Sequence, residues 1–278
     1  MSQLTTLLVG DRLREEFREA IALLEATSEV TAAANVAAAE SLLAEKNWQP
    51  DVVVVAQSWP GQFSVDQVAR LQQHLPLTRF LGLLGSQCEG EHRSGRPWPG
   101  VTRTYWYHWA PRWRQLLASH VEGRWDGWAL PATATAEERL MDSPVPSEHD
   151  RGELIAIHTP YFQLADSLAD ACRTRGLASA WIQPGRPSHV RGAAAVVWDC
   201  DHFDRRTLAE LRAIVERFPA APIAALAAFP RRRDHDALLA AGALCVLGKP
   251  FLLDDLFEPL LRVIDAAADS QLAMTAGR

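Results

Sequence analysis

A chain of 278 residues has room for two domains of about 100–150 residues each. With 48% apolar and 22% charged residues it has the composition of an ordinary soluble globular protein. A net charge of -6 argues against a chain built mainly to coat nucleic acid, and no apolar stretch approaches the roughly 20 residues of a membrane span.

The N-terminal half alternates strand and helix patterns. Leu4 to Val9 reads as a strand, Leu13 to Thr27 as a helix and Glu29 to Ala33 as a second strand. Val36 to Lys46 reads as a helix, Val52 to Val55 as a strand, Val65 to His74 as a helix and Phe80 to Leu84 as a strand. Pro50-Asp51 followed by four valines is a turn signal leading into β-branched residues, which suit a pleated strand. After Leu84 the periodicity is lost. Residues 85–100 are rich in Gly, Ser, Pro and Arg, which predicts an irregular excursion in place of a fourth helix. Val101 to Trp109 reads as a strand-like aromatic run and Trp113 to Glu122 as a closing helix. Residues 129–150 read as a linker between a first domain over 1–128 and a second over 151–270, with 271–278 as a tail.

The second half repeats the alternation. Strands are expected at Leu154–Ile157, Ala178–Ile182, Ala193–Trp198, Pro222–Ala228 and Leu244–Leu247. Helices are expected at Tyr161–Arg175, Arg206–Phe218, Asp234–Ala241 and Leu253–Ala267. On the second, Leu208, Leu211, Ile214 and Val215 share one face. The continuous apolarity of the 193–198 strand suits burial on both faces. Five βα units imply a parallel sheet covered by helices on both sides.

Two residues carry the chemistry. Asp199 ends one apolar run and Lys249, 50 residues later, ends another and is followed by Pro250-Phe251. In open parallel sheets the carboxyl ends of strands line the ligand crevice, so the two groups are expected to converge. The second half thereby resembles the receiver domains of bacterial two-component response regulators, over roughly 152–267. The resemblance places Asp199 at the phospho-acceptor position and Lys249-Pro250 at the phosphate-contacting lysine position. It also shows departures: His158 and Thr159 occupy the acidic-pair positions, and Ala227 falls where the family has Thr or Ser. Mg²⁺ wants hard oxygen ligands, which His158 does not offer. Asp201 is a partial substitute.

The first half is similar to a receiver in a more degenerate form. Pro50-Asp51 and Trp59-Pro60-Gly61 fit the pattern, yet the acceptor position holds Ala56. Gly10 replaces one acidic-pair member and Asp11 keeps the other, while Tyr107-His108-Trp109 stands where Lys-Pro would be. The resemblance implies two flavodoxin-like, doubly wound parallel five-stranded sheets in tandem.

Residues 92–114 hold five of the chain's arginines and no acid. Arg93, Arg96, Trp98, Arg103, Trp106, Trp109, Arg112 and Trp113 are therefore candidate partner-binding residues, since Arg and Trp dominate interface hot spots. Two other readings stay open: single-stranded nucleic acid, through stacking and phosphate attraction, and simple cover for the sheet edge, with the arginines reaching to water. Asp199-Cys200-Asp201-His202 with His158 offers zinc-type ligands at no standard zinc spacing. Ser86, Cys88 and His92 lack a nucleophile elbow, Arg231-Arg232-Arg233 reads as solvated surface, and no phosphate-binding glycine motif is present. The four cysteines form no CxxC pair and the N-terminus lacks a signal-peptide layout, as in a cytoplasmic protein with reduced thiols. The expectation is a non-enzymatic signalling adaptor with a protein partner, no metal and no other cofactor. The alternatives are a phosphorelay switch, in which a histidine kinase phosphorylates Asp199 with Mg²⁺, and nucleic-acid binding through 93–114.

Overall fold

In the computed structural model, which describes residues 4–91, 95, 96, 98–122, 151–200 and 203–276, the chain divides into two compact units, 1–144 and 145–278. The expected 129–150 linker lies outside the described residues.

The first unit forms around β3 (Val52–Gln57), whose six residues are all buried. Its valine run suits a central strand covered on both faces. β1 (Thr5–Gly10), β2 (Glu29–Ala33), β4 (Arg79–Leu84) and β5 (Val101–Tyr105) join it in a parallel sheet of order β2-β1-β3-β4-β5. α1 (Arg18–Thr27), α2 (Val36–Lys46), α3 (Val65–His74) and α4 (Trp109–Val121) provide its cover. Leu7, Val9, Val53 and Val55 pack on Val36, Ala39, Leu43, Val68 and Leu71 on one side. Leu8, Val54 and Leu83 pack on Ala20, Ile21, Leu24, Trp109 and Trp113 on the other. The Asn35 side chain caps α2 by accepting from Ala38 N at 2.9 Å, and Ser64 with Gln67 forms a capping box on α3.

The second unit has the same strand order. β6 (Leu154–His158), β7 (Ala178–Ile182), β8 (Ala195–Cys200), β9 (Ile223–Ala228) and β10 (Cys245–Lys249) lie in the order β7-β6-β8-β9-β10, all parallel. α5 (Phe162–Arg173) and α8 (Leu253–Ala276) cover one face through Leu168, Cys172, Phe257 and Leu260. α6 (Arg205–Arg217) and α7 (Arg232–Ala240) cover the other through Leu211, Ile214 and Leu238. Both units are therefore flavodoxin-like doubly wound α/β folds, with the order reversing between the first and third strands of each.

Three expectations are corrected. Val101–Trp109 is not one strand: it ends at Tyr105, a 3-10 turn covers Trp106–His108, and α4 begins at Trp109. Trp106, Trp109 and Trp113 are spaced by three and four, the period of a helix face, and Pro111 is tolerated in a first turn. Five complete βα units do not form in the second half, because residues 183–194 join β7 to β8 without a helix. Arg217 Nη2 pins that segment by donating to Ser188 O at 2.8 Å and Val190 O at 3.3 Å. The sheet face there needs little cover, since β7 presents Ala178 and Ala180 on the side where Ile182 joins the α6 and α7 core. Finally, α8 continues past Ala267 to Ala276, into the expected tail.

Gly10 fixes the end of β1. Its φ is +120°, and a Cβ there would lie 2.4 Å from Ala56 O. Backbone on β3 cannot yield as a side chain would. Gly10→Ala is expected to cost on the order of 3 kcal/mol, read as a lower urea midpoint with unchanged m-value.

Candidate functional site

Three strand ends meet at the carboxyl edge of the second sheet. β6 delivers His158 and Thr159, β8 delivers Asp199, and β10 delivers Lys249, which is followed by a cis Lys249–Pro250 bond. β9 lies between β8 and β10, so Lys249 has to reach across it. β9 ends in Ala227 and Ala228, in register with Gly248 and Lys249, and these methyl groups leave the path open.

The Asp199 carboxylate is bonded at both oxygens. Lys249 Nζ donates to Oδ1 at 2.7 Å, and Thr159 Oγ1 donates to Oδ2 at 2.6 Å. The Asp199 side chain is 2% exposed and that of Lys249 24%. Thr159, fully buried, is itself held on several sides. Its N–H donates to Ile182 O at 3.3 Å, its carbonyl accepts from Trp181 Nε1 at 2.8 Å, and its Oγ1 accepts from Tyr161 N at 3.2 Å. Charge-assisted bonds of this kind are short and strong, and together they offset the lost hydration of a buried carboxylate.

His158 stands beside this group with Nδ1 3.8 Å from Glu210 Oε1. Burial holds the imidazole below its ordinary value, with Arg217 adding to the effect and Asp199 opposing it. Burial also raises Glu210 above the usual carboxylate range. The imidazole is thus neutral at pH 7.

These residues do not fit a Mg²⁺ ion. Such an ion wants about six hard oxygens in octahedral array; here a neutral imidazole and a hydroxyl already spent on Asp199 stand where carboxylates would be needed. Nor do His158, Asp199 and Cys200 converge as metal ligands among the described residues. Asp201 and His202 lie outside them.

Among its described residues the first unit has no comparable pair. Ala56 is buried at the end of β3, and Asp11 Oδ1 merely accepts from Leu13 N at 3.0 Å in a local turn. Its carboxyl end is closed instead by contacts that no sequence spacing announces. Glu16 Oε2 accepts from Ser86 N and Oγ at 3.0 and 2.8 Å, and Gln57 Nε2 donates to Glu91 Oε2 at 2.7 Å. Glu16 and Ser86 are 70 residues apart, so only the fold brings them together.

The aromatic segment is corrected as well. Trp98, Trp106, Trp109 and Trp113 are buried in the core rather than displayed to a partner. Trp98 Nε1 donates to Phe63 O at 3.1 Å, Trp106 Nε1 to Ser86 Oγ at 2.9 Å and Trp113 Nε1 to Thr27 Oγ1 at 2.9 Å. Trp109 and Trp113 stack at 5.9 Å. Large rings gain most by leaving water, and their helical spacing turns them inward. Arg96 is exposed, while Arg103 and Arg112 are half-buried, the latter donating to Thr104 Oγ1 at 3.4 Å. Arg93 and His92 lie outside the described residues. With these four rings inside, the described part of the segment presents no largely exposed aromatic ring. Cys88 and Cys172 are buried thiols whose desolvation raises both to about 11, which leaves them protonated and poor nucleophiles.

No protein-family model and no curated protein matches the sequence. Among solved structures, a response regulator from Thermotoga maritima is similar at 21% identity and TM-score 0.36, over 41% of this chain and 98% of its own. The C-terminal part of RcsC from E. coli, with a linker region and a phosphoreceiver domain, is similar at 13% identity and TM-score 0.35, over 97% and 96%. An NAD-complexed D-isomer specific 2-hydroxyacid dehydrogenase from Lactobacillus delbrueckii matches more weakly, at 10% identity and TM-score 0.24, over 98% of each chain. Likenesses of this strength carry no functional weight, so function has to be argued from the site.

Two outcomes follow from its geometry. Thr159→Val keeps the shape but removes the donor to Asp199 Oδ2, and should cost about 2 kcal/mol in urea unfolding at pH 7. For His158, the unfolded chain takes up a proton near pH 6.5 while the folded chain resists it. Stability is therefore fully present above that value and falls as the pH drops below it. His158→Gln should flatten this acid slope, by at most about 1.4 kcal/mol per pH unit, measured as urea midpoints between pH 7.5 and 5.5.

Proposed function

We propose that this chain is a non-enzymatic, response-regulator-type signalling protein whose second unit acts as a protein-binding adaptor without being phosphorylated. One observation carries the reading: Asp199 is buried with both carboxylate oxygens already bonded, one to Lys249 and one to Thr159. An acceptor carboxylate needs a free oxygen aimed at the incoming phosphorus and a metal to neutralise the phosphoryl charge. At Asp199 one oxygen accepts from Lys249 and the other from Thr159, and His158 and Thr159 offer no carboxylate to hold that metal. The lysine acts as a permanent counter-ion, holding the strand ends in one arrangement.

The first unit adds a scaffold of the same fold in which Ala56 removes any acceptor chemistry. No helix among the described residues is long and apolar enough to cross a membrane, and the proposal places the adaptor in the cytoplasm.

The test is intact-mass spectrometry of the full chain after incubation with acetyl phosphate and Mg²⁺, beside Asp199→Asn. No added phosphoryl mass is expected on either protein. A gain on the wild type alone would restore the phosphorelay reading, with a histidine kinase as partner.

A further inference from the structure

Each parallel sheet of this chain ends in two edge strands: β2 and β5 in the first unit, β7 and β10 in the second. An edge strand shows a row of main-chain donors and acceptors, and a charged side chain on it is a common guard against pairing with another chain. All four are five residues long, so length does not distinguish them. Charge does. β2 carries Glu29, β5 carries Arg103 and β10 carries Lys249, whereas β7, Ala178-Ser179-Ala180-Trp181-Ile182, carries none. The uncharged stretch runs on in both directions, from Gly176 to Gly185.

β7 also lacks the helix that follows each of the other three. α2 follows β2, α4 follows β5 after a single 3-10 turn and α8 follows β10, but residues 183–194 return from β7 without one. Arg217 of α6 holds that return by Ser188 O and Val190 O. The strand is left partly in water: Ala178 is exposed, Ser179 and Ala180 are half-buried and Trp181 is 40% exposed.

The hydrogen bonds to β6 show which main-chain groups face out. Ala178 N donates to Glu153 O at 3.0 Å, and Ile182 O accepts from Thr159 N at 3.3 Å. Alternation then turns Ala178, Ala180 and Ile182 toward β6, and turns the N–H and C=O of Ser179 and Trp181 outward. Two outward residues flanking one inward residue make a self-complementary edge. In an antiparallel pair of two β7 strands with Ala180 on the two-fold axis, Ser179 of each copy lies opposite Trp181 of the other. Each such pair exchanges both of its N–H···O bonds.

The side chains fit the same register. On the face that α5 covers, each indole lies against a serine. On the face that α6 covers, Ile182 lies against Ala178, so a large residue always meets a small one. Centring the pair on Ser179 or on Trp181 would instead set Trp181 against Leu177 or against itself. Trp181 is already fixed, by donation from Nε1 to Thr159 O and by edge-to-face packing on Phe162 at 5.7 Å, so little of its freedom is lost on pairing.

We infer that β7 pairs with β7 of a second copy of this chain, antiparallel and centred on Ala180, so that the two copies' sheets become one. The inference goes beyond the adaptor reading and does not depend on the state of Asp199.

The test is sedimentation velocity of the full chain over a concentration series reaching about 0.3 mM, which captures the weak association of a small interface. The wild type should pass from monomer to dimer as concentration rises. Ser179→Pro removes a donor that faces away from β6, and proline is tolerated on an edge strand in that position. It should keep the wild-type melting temperature and yet weaken dimerisation by about tenfold or more. Ala178→Lys, a change at an exposed site, should do the same by setting a charge against Ile182 of the other copy. Ala180→Cys reads the register. Opposed Cα atoms at the axis would lie about 4.5 Å apart, within the roughly 4.4–6.8 Å that a disulfide spans. Mild oxidation should link this variant into a covalent dimer on non-reducing gels, and should not link the wild type with its native cysteines. A chain that stays monomeric over the whole series would overturn the inference. So would dimers that neither Ser179→Pro nor Ala178→Lys weakens, or an Ala180→Cys that does not cross-link, since either puts the contact on another surface. Ala178→Lys and Ala180→Cys decide the question even where Ser179→Pro fails to fold.

Discussion

A carboxylate buried at a strand end loses several kcal/mol of hydration unless donors meet its oxygens. At Asp199 that requirement is met by residues from two other strands, and much of the second unit's upper edge is arranged around it. Lys249 must cross β9, which is why the alanines at 227 and 228 matter more than their size suggests. Thr159 must stay aligned with Oδ2, and bonds from Trp181 and Tyr161, together with its own donation to Ile182, hold it there. The ion pair is thus a clamp on β6, β8 and β10 at once.

The same constraint explains how the two units diverge on one fold. Where Asp199 and Lys249 are present, the carboxyl edge is organised by charge. Where Ala56 stands instead, the edge of the first unit is organised by Glu16 on Ser86 and Gln57 on Glu91, with Trp106 closing over Ser86. Both solutions satisfy buried polar groups, as any strand-end crevice must. In the first unit Trp98, Trp106, Trp109 and Trp113 are drawn into the core and Trp59 stays exposed, while the second leaves Phe162, Trp181 and Phe229 in water.

Much of this was legible in the sequence because it rests on local periodicity. The valine run at 52–55 and the apolar run ending in Asp199 identified the central strands, and both sheets have the doubly wound order that such strands imply. The convergence of Asp199 and Lys249 was readable from their places at two strand ends. The tryptophans misled because composition was weighed above spacing: Arg with Trp resembles a hot spot, but positions 106, 109 and 113 lie on one inward helix face. The missing crossover helix at 183–194 left only a weak trace, the small side chains of Ala178 and Ala180. The Thr159 bond, the left-handed backbone at Phe229 and the Glu16–Ser86 contact depend on long-range geometry and have no local signal.

The central claim is that Asp199 serves the fold as a paired structural anion. Asp199→Asn tests it most directly, because the amide is nearly isosteric and can still accept a hydrogen bond from Thr159 while losing its charge. The measurement is the change in urea unfolding free energy at pH 7. A structural anion predicts a loss of about 2 kcal/mol or more, since Lys249 is left partly buried without its counter-ion. An unchanged or increased stability would contradict the account: it would mean the carboxylate is held at a cost, as functional groups often are, and that its purpose lies in chemistry.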